Sequence, residues 1–294
     1  MIDRQESITA KLCSFVRGYH SNFIRDKIAD DYLAYDLMGK EEYRRIKRFI
    51  TSRYCGDSEA RFRSFIDTYF APIPLARQKF TEERLARFAR DGKCQYVICG
   101  AGADTFSFRN DNEDIEVFEV DHPDTQRFKS DRIQMLEWNI PHNVHFVPVD
   151  FNKETMIQGL EKAGFDRGKK TFFSILGVSY YLTLPVFTAT LGQTAELSAP
   201  DSVLVFDFPL SEGSFPWRVY ELEQMTADLG EPMTGGFSYG DISRALYSLG
   251  FQIDTYLTPR MVQAEYFSGR SDSMRAFENV ALLSAAYTGG YVFE

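Results

Sequence analysis

The stretch Tyr96-Val-Ile-Cys-Gly-Ala-Gly-Ala-Asp-Thr105 reads as a β-branched strand that stops at a Gly-x-Gly turn. Two more apolar runs follow, Phe118-Glu-Val-Asp121 and Val147-Pro-Val-Asp-Phe151, and each ends in an aspartate. Glycines at a strand end let the backbone turn sharply and approach a ligand closely, because no Cβ stands in the way. A carboxylate about 20 residues further on, at the end of the next strand, is placed to accept both hydroxyls of a ribose. Each feature alone has a plainer reading: a structural turn for Gly100 and Gly102, a helix cap for Asp121 or His122 ahead of Pro123, a turn residue for Asp150. Their joint placement at three strand ends is the pattern of a nucleoside-binding α/β sheet. Gly100, Ala101, Gly102, Asp121 and His122 are then candidate binding residues. Asp150 is placed to accept from an adenine amino group, and Phe151 to pack on the ring.

Outward from this stretch, strands and helices alternate. Strands are predicted at 95–99, 115–120, 144–149, 171–176, 202–208, 252–257 and 279–287. Between them lie helices at 123–138, 153–163 and 184–197, and one that Asp241 caps and that runs to Leu249. Only a short helix fits after the glycine turn. The alternation implies a mostly parallel sheet covered on both faces. Residues 1–92 carry no convincing strand. Ser7 caps a helix with Ile8, Leu12, Phe15 and Val16 on one face. Further helices are expected at 32–38, 41–50, 59–69 and 81–89, with Pro72-Ile-Pro74 breaking the last two apart. The expected organisation is a helical N-terminal cap over 1–92 and an α/β core over 93–294. An insertion rich in Gly, Pro and aromatics at about 209–240 reads as a lid.

Composition is that of a soluble globular enzyme: 294 residues, 44% hydrophobic and 26% charged. The 26 Phe and 16 Tyr read as a bulky ordinary core in preference to an apolar cleft. A formal net charge of −9 repels nucleic acid over most of the surface. The basic run Tyr43-Arg-Arg-Ile-Lys-Arg-Phe49 reads as a solvated helix face. Cys13, Cys55, Cys94 and Cys99 have no metal-ligand spacing, and the pair flanking the first strand reads as buried thiols. The opening Met1-Ile-Asp-Arg-Gln-Glu6 has no apolar signal core, and no stretch approaches the ~18 apolar residues of a membrane span. A reducing cytoplasm is the expected compartment.

The turn also bears on which nucleoside is held. A dinucleotide places its pyrophosphate on a helix N-terminus, where a third glycine allows close helix packing. Here the turn continues Ala103-Asp104-Thr105, with a carboxylate where an anion should sit. S-adenosylmethionine has no phosphate and carries a cationic sulfonium, so the acidic turn favours it.

Four segments carry a family resemblance: Gly100-Ala-Gly-Ala-Asp-Thr105, Glu119-Val-Asp121, Asp150-Phe151 and Gly177-Val-Ser-Tyr-Tyr-Leu182. Together they resemble the leucine carboxyl methyltransferase family, which includes small-molecule O-methyltransferases of the polyketide-carboxylate type. The resemblance runs from about Phe15 to Phe251. It implies a Rossmann-like class I methyltransferase fold with a seven-stranded, mostly parallel sheet, and S-adenosyl-L-methionine as cofactor. It further implies that Arg77, in Pro74-Leu-Ala-Arg-Gln78, holds the cofactor carboxylate, and that Tyr181 lines the methyl-transfer cleft. The chain departs from the family at Leu176-Gly177, where Glu-Gly is usual. The cofactor ammonium is then left to backbone carbonyls around Gly100 and Leu176.

The expected reaction is methyl transfer to an oxygen of a small-molecule acceptor, foremost a carboxylate. That group is already ionised at neutral pH, so catalysis needs positioning and water exclusion but no general base. His20 reads foremost as an ordinary structural histidine, with a base for a phenol or alcohol acceptor as the lesser alternative. Phe215, Trp217 and Tyr220 of the insertion are expected to wall the acceptor, with Arg218 attracting an anion. Alternatives are a protein C-terminal carboxyl methyltransferase, a non-catalytic S-adenosylmethionine-binding protein, supported by Leu176, and an NAD-dependent oxidoreductase, disfavoured by Asp104 and the missing glycine.

Overall fold

The computed structural model describes residues 7–56, 58–151 and 153–289. The opening Met1–Glu6, read above for a signal core, lies outside them. Seven strands form one sheet: β1 Cys94–Cys99, β2 Ile115–Asp121, β3 Val144–Pro148, β4 Thr171–Ile175, β5 Val203–Pro209, β6 Phe251–Leu257 and β7 Val280–Tyr287. Their order is β3-β2-β1-β4-β5-β7-β6, parallel except for β7, which runs antiparallel to both β5 and β6. The expected α/β fold is observed. β1 and β4 are buried along their whole length, which explains why they read as unbroken apolar runs.

Period-two alternation along β1 divides the core. Tyr96 and Ile98 face the N-terminal helices, in a cluster with Phe15, Phe62, Leu75 and Phe80. Val97 and Cys99 face the other side with Phe118, Phe173, Phe187 and Leu246. Phe15, Phe62, Phe80, Phe118, Phe172, Phe173, Phe187, Phe206 and Phe208 are all fully buried, so the aromatic excess is mainly core.

The helices are α1 Ile8–Phe23, α2 Ala34–Met38, α3 Lys40–Ile50, α4 Glu59–Phe65, α5 Pro72–Phe88, α6 Phe106–Arg109, α7 Pro123–Met135, α8 Met156–Lys162, α9 Leu184–Leu197, α10 Trp217–Asp228, α11 Tyr239–Ser248 and α12 Pro259–Val262. Ser7 caps α1 by accepting from the Ala10 N–H. Several boundaries shift by a few residues from the sequence reading, and two helix starts are built differently. Pro72 and Pro74 begin α5 instead of separating two helices, because both lie in the first turn, where no N–H partner is needed. Ser238, not Asp241, caps α11; Asp241 sits in its first turn and accepts from the Ser238 hydroxyl. Arg44, Arg45 and Arg48 on α3 are exposed, as a solvated face requires. No helix among the described residues is long and apolar enough to cross a membrane.

Candidate active site

The strand order reverses between β1 and β4, and a cavity of about 240 Å³ opens beyond their carboxyl ends. Its floor is the Gly100–Asp104 turn and Leu176–Val178. Its walls come from α1 (Thr9, Cys13, Arg17), the start of α5 (Ile73, Pro74, Arg77), and α10 with the segment after it, the stretch read above as an insertion (Leu222, Thr226, Met233).

Gly100 has φ +77°, a conformation that favours glycine, and a Cβ there would press on Val178 at 3.3 Å. The N–H groups of Gly100 and Ala101 donate to the Val120 carbonyl. The Gly102 N–H donates to Asp121 Oδ2 at 2.6 Å, and the His122 N–H to Oδ1 at 2.6 Å. Asp121 thus braces the turn against β2. A carboxylate has about four acceptor positions, so two remain for a ligand. His122 is the N-cap of α7, its Nδ1 accepting from the Asp124 N–H. Asp150, just past β3, pairs with Lys153 at 2.8 Å, and Phe151 is 60% exposed. Asp121, His122, Asp150 and Phe151 lie outside the cavity wall, in line along the ends of β2 and β3.

Arg77 reaches the cavity from α5. Its Nη1 lies 3.3 Å from Asp207 Oδ2, and Asp207 also accepts from the Gly177 N–H at 2.7 Å and the Tyr180 hydroxyl at 2.8 Å. Burial pulls the Arg77 pKa down, but the Asp207 carboxylate more than offsets this and holds the guanidinium firmly charged. A Cβ on Gly177 would fall 2.4 Å from Arg77 Nη1, so this glycine makes room for the cation. Asp207 was missed in the sequence. Its signal was an acid inside Val203-Leu-Val-Phe-Asp-Phe208, and it is fully buried.

Tyr181 also lines the cavity, its hydroxyl 3.0 Å from Thr9 Oγ1. Burial pushes its pKa up to about 12. Thr9 in turn donates to Glu231 of the insertion, which also accepts the N–H groups of Ile8 at 2.7 Å and Thr9 at 3.1 Å. Asp104 lines the cavity but is engaged: Oδ1 accepts the Phe106 N–H at 2.6 Å, and Oδ2 faces Arg17 at 3.7 Å. Its charge therefore does not stand free above the turn, contrary to the electrostatic reading of the sequence.

Two further expectations fail, and His20 follows its plainer, structural reading. Arg218 is buried, donating to the carbonyls of Arg275 and Ala276, facing Glu278 at 3.4 Å and stacking over Phe277. Trp217 and Tyr220 are 73% and 47% exposed, and Phe215 packs on the core; the insertion meets the cavity through the opposite face of α10. His20 is buried away from the cavity, with Nε2 accepting the Ile28 N–H at 2.8 Å. Burial, helped by Arg270, lowers its pKa to about 4.

The leucine carboxyl methyltransferase family profile matches residues 10–195. YktD of Bacillus subtilis (strain 168), assigned by its name to the S-adenosyl-L-methionine-dependent methyltransferases, is 35% identical over 97% of this chain and 99% of its own. The chain belongs to the leucine carboxyl methyltransferase family. It is an S-adenosylmethionine-dependent methyltransferase. A similarly named protein of a Mycobacterium species (strain JLS) is 33% identical over 47% of this chain and 45% of its own. Among solved structures, a DUF574-family protein of Streptomyces avermitilis aligns with TM-score 0.61 and 13% identity, covering 97% of this chain and 99% of that one. A Thermobifida fusca protein assigned to the methyltransferases gives 0.57 and 13%, covering 95% and 94%. These two support the fold alone. In this leucine carboxyl methyltransferase family member, Leu176 lines the cavity.

Proposed function

We propose that this enzyme methylates a carboxylate of a small, largely apolar acceptor, with the cofactor held across the ends of β1, β2 and β4. The residues present fit that group. Arg77 offers a charged guanidinium to the cofactor carboxylate, Asp121 keeps acceptor capacity for ribose hydroxyls, and Asp150 with Phe151 lies further along the same edge for the adenine. Carbonyls near Gly100 and Leu176 take the ammonium in place of an acidic side chain. When bound, the cofactor supplies an electrophilic methyl group on a sulfonium.

The observation that carries the acceptor class is the lack of a base. The described residues lining the cavity include no histidine, lysine or glutamate. Asp104, the carboxylate among them, is engaged by the α6 N-terminus and Arg17. Tyr181 stays protonated at neutral pH. Such a lining suits an acceptor oxygen that arrives ionised, as a carboxylate does. Tyr69, Phe70, Ile73, Leu222 and Met233 give an apolar wall for the acceptor body. Tyr181 and Thr9 contribute hydroxyls that orient it, and the chain positions the acceptor in line and excludes water.

The test uses cofactor labelled in its methyl group with a panel of carboxylic acids and matched phenols. A methyl ester releases labelled methanol in alkali, and a methyl ether does not. The expected product is alkali-labile. Alkali-stable label on phenols, with none on acids, contradicts the assignment.

A further inference from the structure

The geometry points to Asp31, a carboxylate of the helical cap lying outside the cavity wall, as the positioning residue for the cofactor turn. This rests on the reading that the Gly100–Thr105 turn holds S-adenosylmethionine. From the sheet side, the turn is held by the Val120 carbonyl and by Asp121. The helix that follows is α6, a single turn of four residues, too short to fix a flexible glycine segment by its own stability. From the core side Lys129 Nζ of α7 also donates to the Asp104 carbonyl at 2.5 Å, and the Ser107 hydroxyl of α6 to Glu119 at 2.5 Å. The N-terminal helices add the restraint on the opposite side.

Two contacts deliver it. Arg17 Nη2 donates to the Ala103 carbonyl at 2.8 Å, and the Thr105 hydroxyl donates to Asp31 Oδ1. Both converge on one residue, because Asp31 Oδ2 also faces Arg17 Nε at 3.3 Å. Arg109 of α6 completes the cluster. Its Nε lies 3.4 Å from Asp31 and donates to Thr105 Oγ1 at 2.8 Å, while Nη2 reaches Glu82 of α5 at 2.6 Å.

Asp31 is 1% exposed and Thr105 fully buried, so these charges meet with little screening. Asp31 is itself fixed within the cap: its N–H donates to Ser21 Oγ on α1 at 2.6 Å, and its carbonyl accepts the Ala34 N–H of α2. A single buried carboxylate thus transmits the position of α1 and α2 to both ends of the Ala103–Thr105 segment. Cofactor binding and docking of the cap are coupled through it, and coupling of this kind is reciprocal.

The experiment is calorimetric titration of S-adenosylhomocysteine into wild type, Asp31→Asn, Thr105→Val, Thr105→Ser and Leu246→Ala. The last is a destabilised control on the far face of the sheet. Asp31→Asn and Thr105→Val should each weaken binding about tenfold, the scale of one buried charge-assisted hydrogen bond. Thr105→Ser keeps the hydroxyl and should restore wild-type affinity to within about twofold, on the same scale. Leu246→Ala should melt lower yet bind normally. Wild-type affinity in Thr105→Val, or weakening in Leu246→Ala as large as in Asp31→Asn, overturns the assignment. No binding by wild type overturns the cofactor reading beneath it.

Discussion

Asp207 and Asp121 do related work in different places: Asp121 accepts the N–H groups of Gly102 and His122, while the fully buried Asp207 accepts the Gly177 N–H and the Tyr180 hydroxyl and holds Arg77 toward the cavity. Asp121 was legible in the sequence because its position follows from strand length alone. Arg218 was misread because its orientation depends on the phase of α10, which sequence leaves open. Asp104 was correctly seen as an acid beside the turn, but its partner Arg17 comes from 87 residues upstream and no local pattern links them. His20 yields a prediction at this scale. Its folded pKa of about 4 lies below the ordinary 6.5, so its neutral form contributes stability above pH 6.5, and this is lost as pH falls toward 4. Asp67, raised to about 6 by burial and then Asp272, acts in the opposite sense, favouring the fold as pH falls. His20→Gln removes the first contribution alone. Wild type should therefore lose roughly 3 kcal/mol relative to His20→Gln between pH 7 and 4, measured by urea unfolding. Parallel pH profiles contradict this.

Among the elements, strands were the most legible. β1 and β4 are buried on both faces, so their sequences carry an apolar run that no surface demand interrupts. Helix starts were less so, as Pro72 demonstrates: a proline pair marks either a break or a first turn, and only the following residues' packing on the sheet decides. The link between α1 and the insertion was invisible, since Glu231 lies far along the chain from the N–H groups of Ile8 and Thr9 that it accepts. A carboxylate at a helix N-terminus satisfies donors that otherwise lack partners and favours the helix dipole. Glu231→Ala should release the first turn of α1, lowering hydrogen-exchange protection around Ala10–Leu12 by about 1–2 kcal/mol. Unchanged protection there shows that the insertion does not hold this helix.

On the scale of the whole molecule, one sheet separates two apolar clusters, and the helical cap shares the first of them with β1, β4 and β7. The cap therefore forms one wall of the cavity instead of standing apart from the core. That shared packing explains why the core's motifs were readable while the acceptor side was not. The nucleoside side is built from consecutive strand ends, whereas the acceptor side is assembled from α1, α5 and the insertion, whose juxtaposition exists only in three dimensions. The central claim is that the Gly100–Asp121 edge binds the methyl donor. It is tested most directly by thermal unfolding of wild type and Asp121→Ala with S-adenosylhomocysteine or NAD. A hundredfold excess over Kd adds roughly 2.7 kcal/mol, so the wild-type midpoint should rise by several degrees with S-adenosylhomocysteine alone, and much less in Asp121→Ala. No rise in wild type, or an equal rise with NAD, contradicts the account.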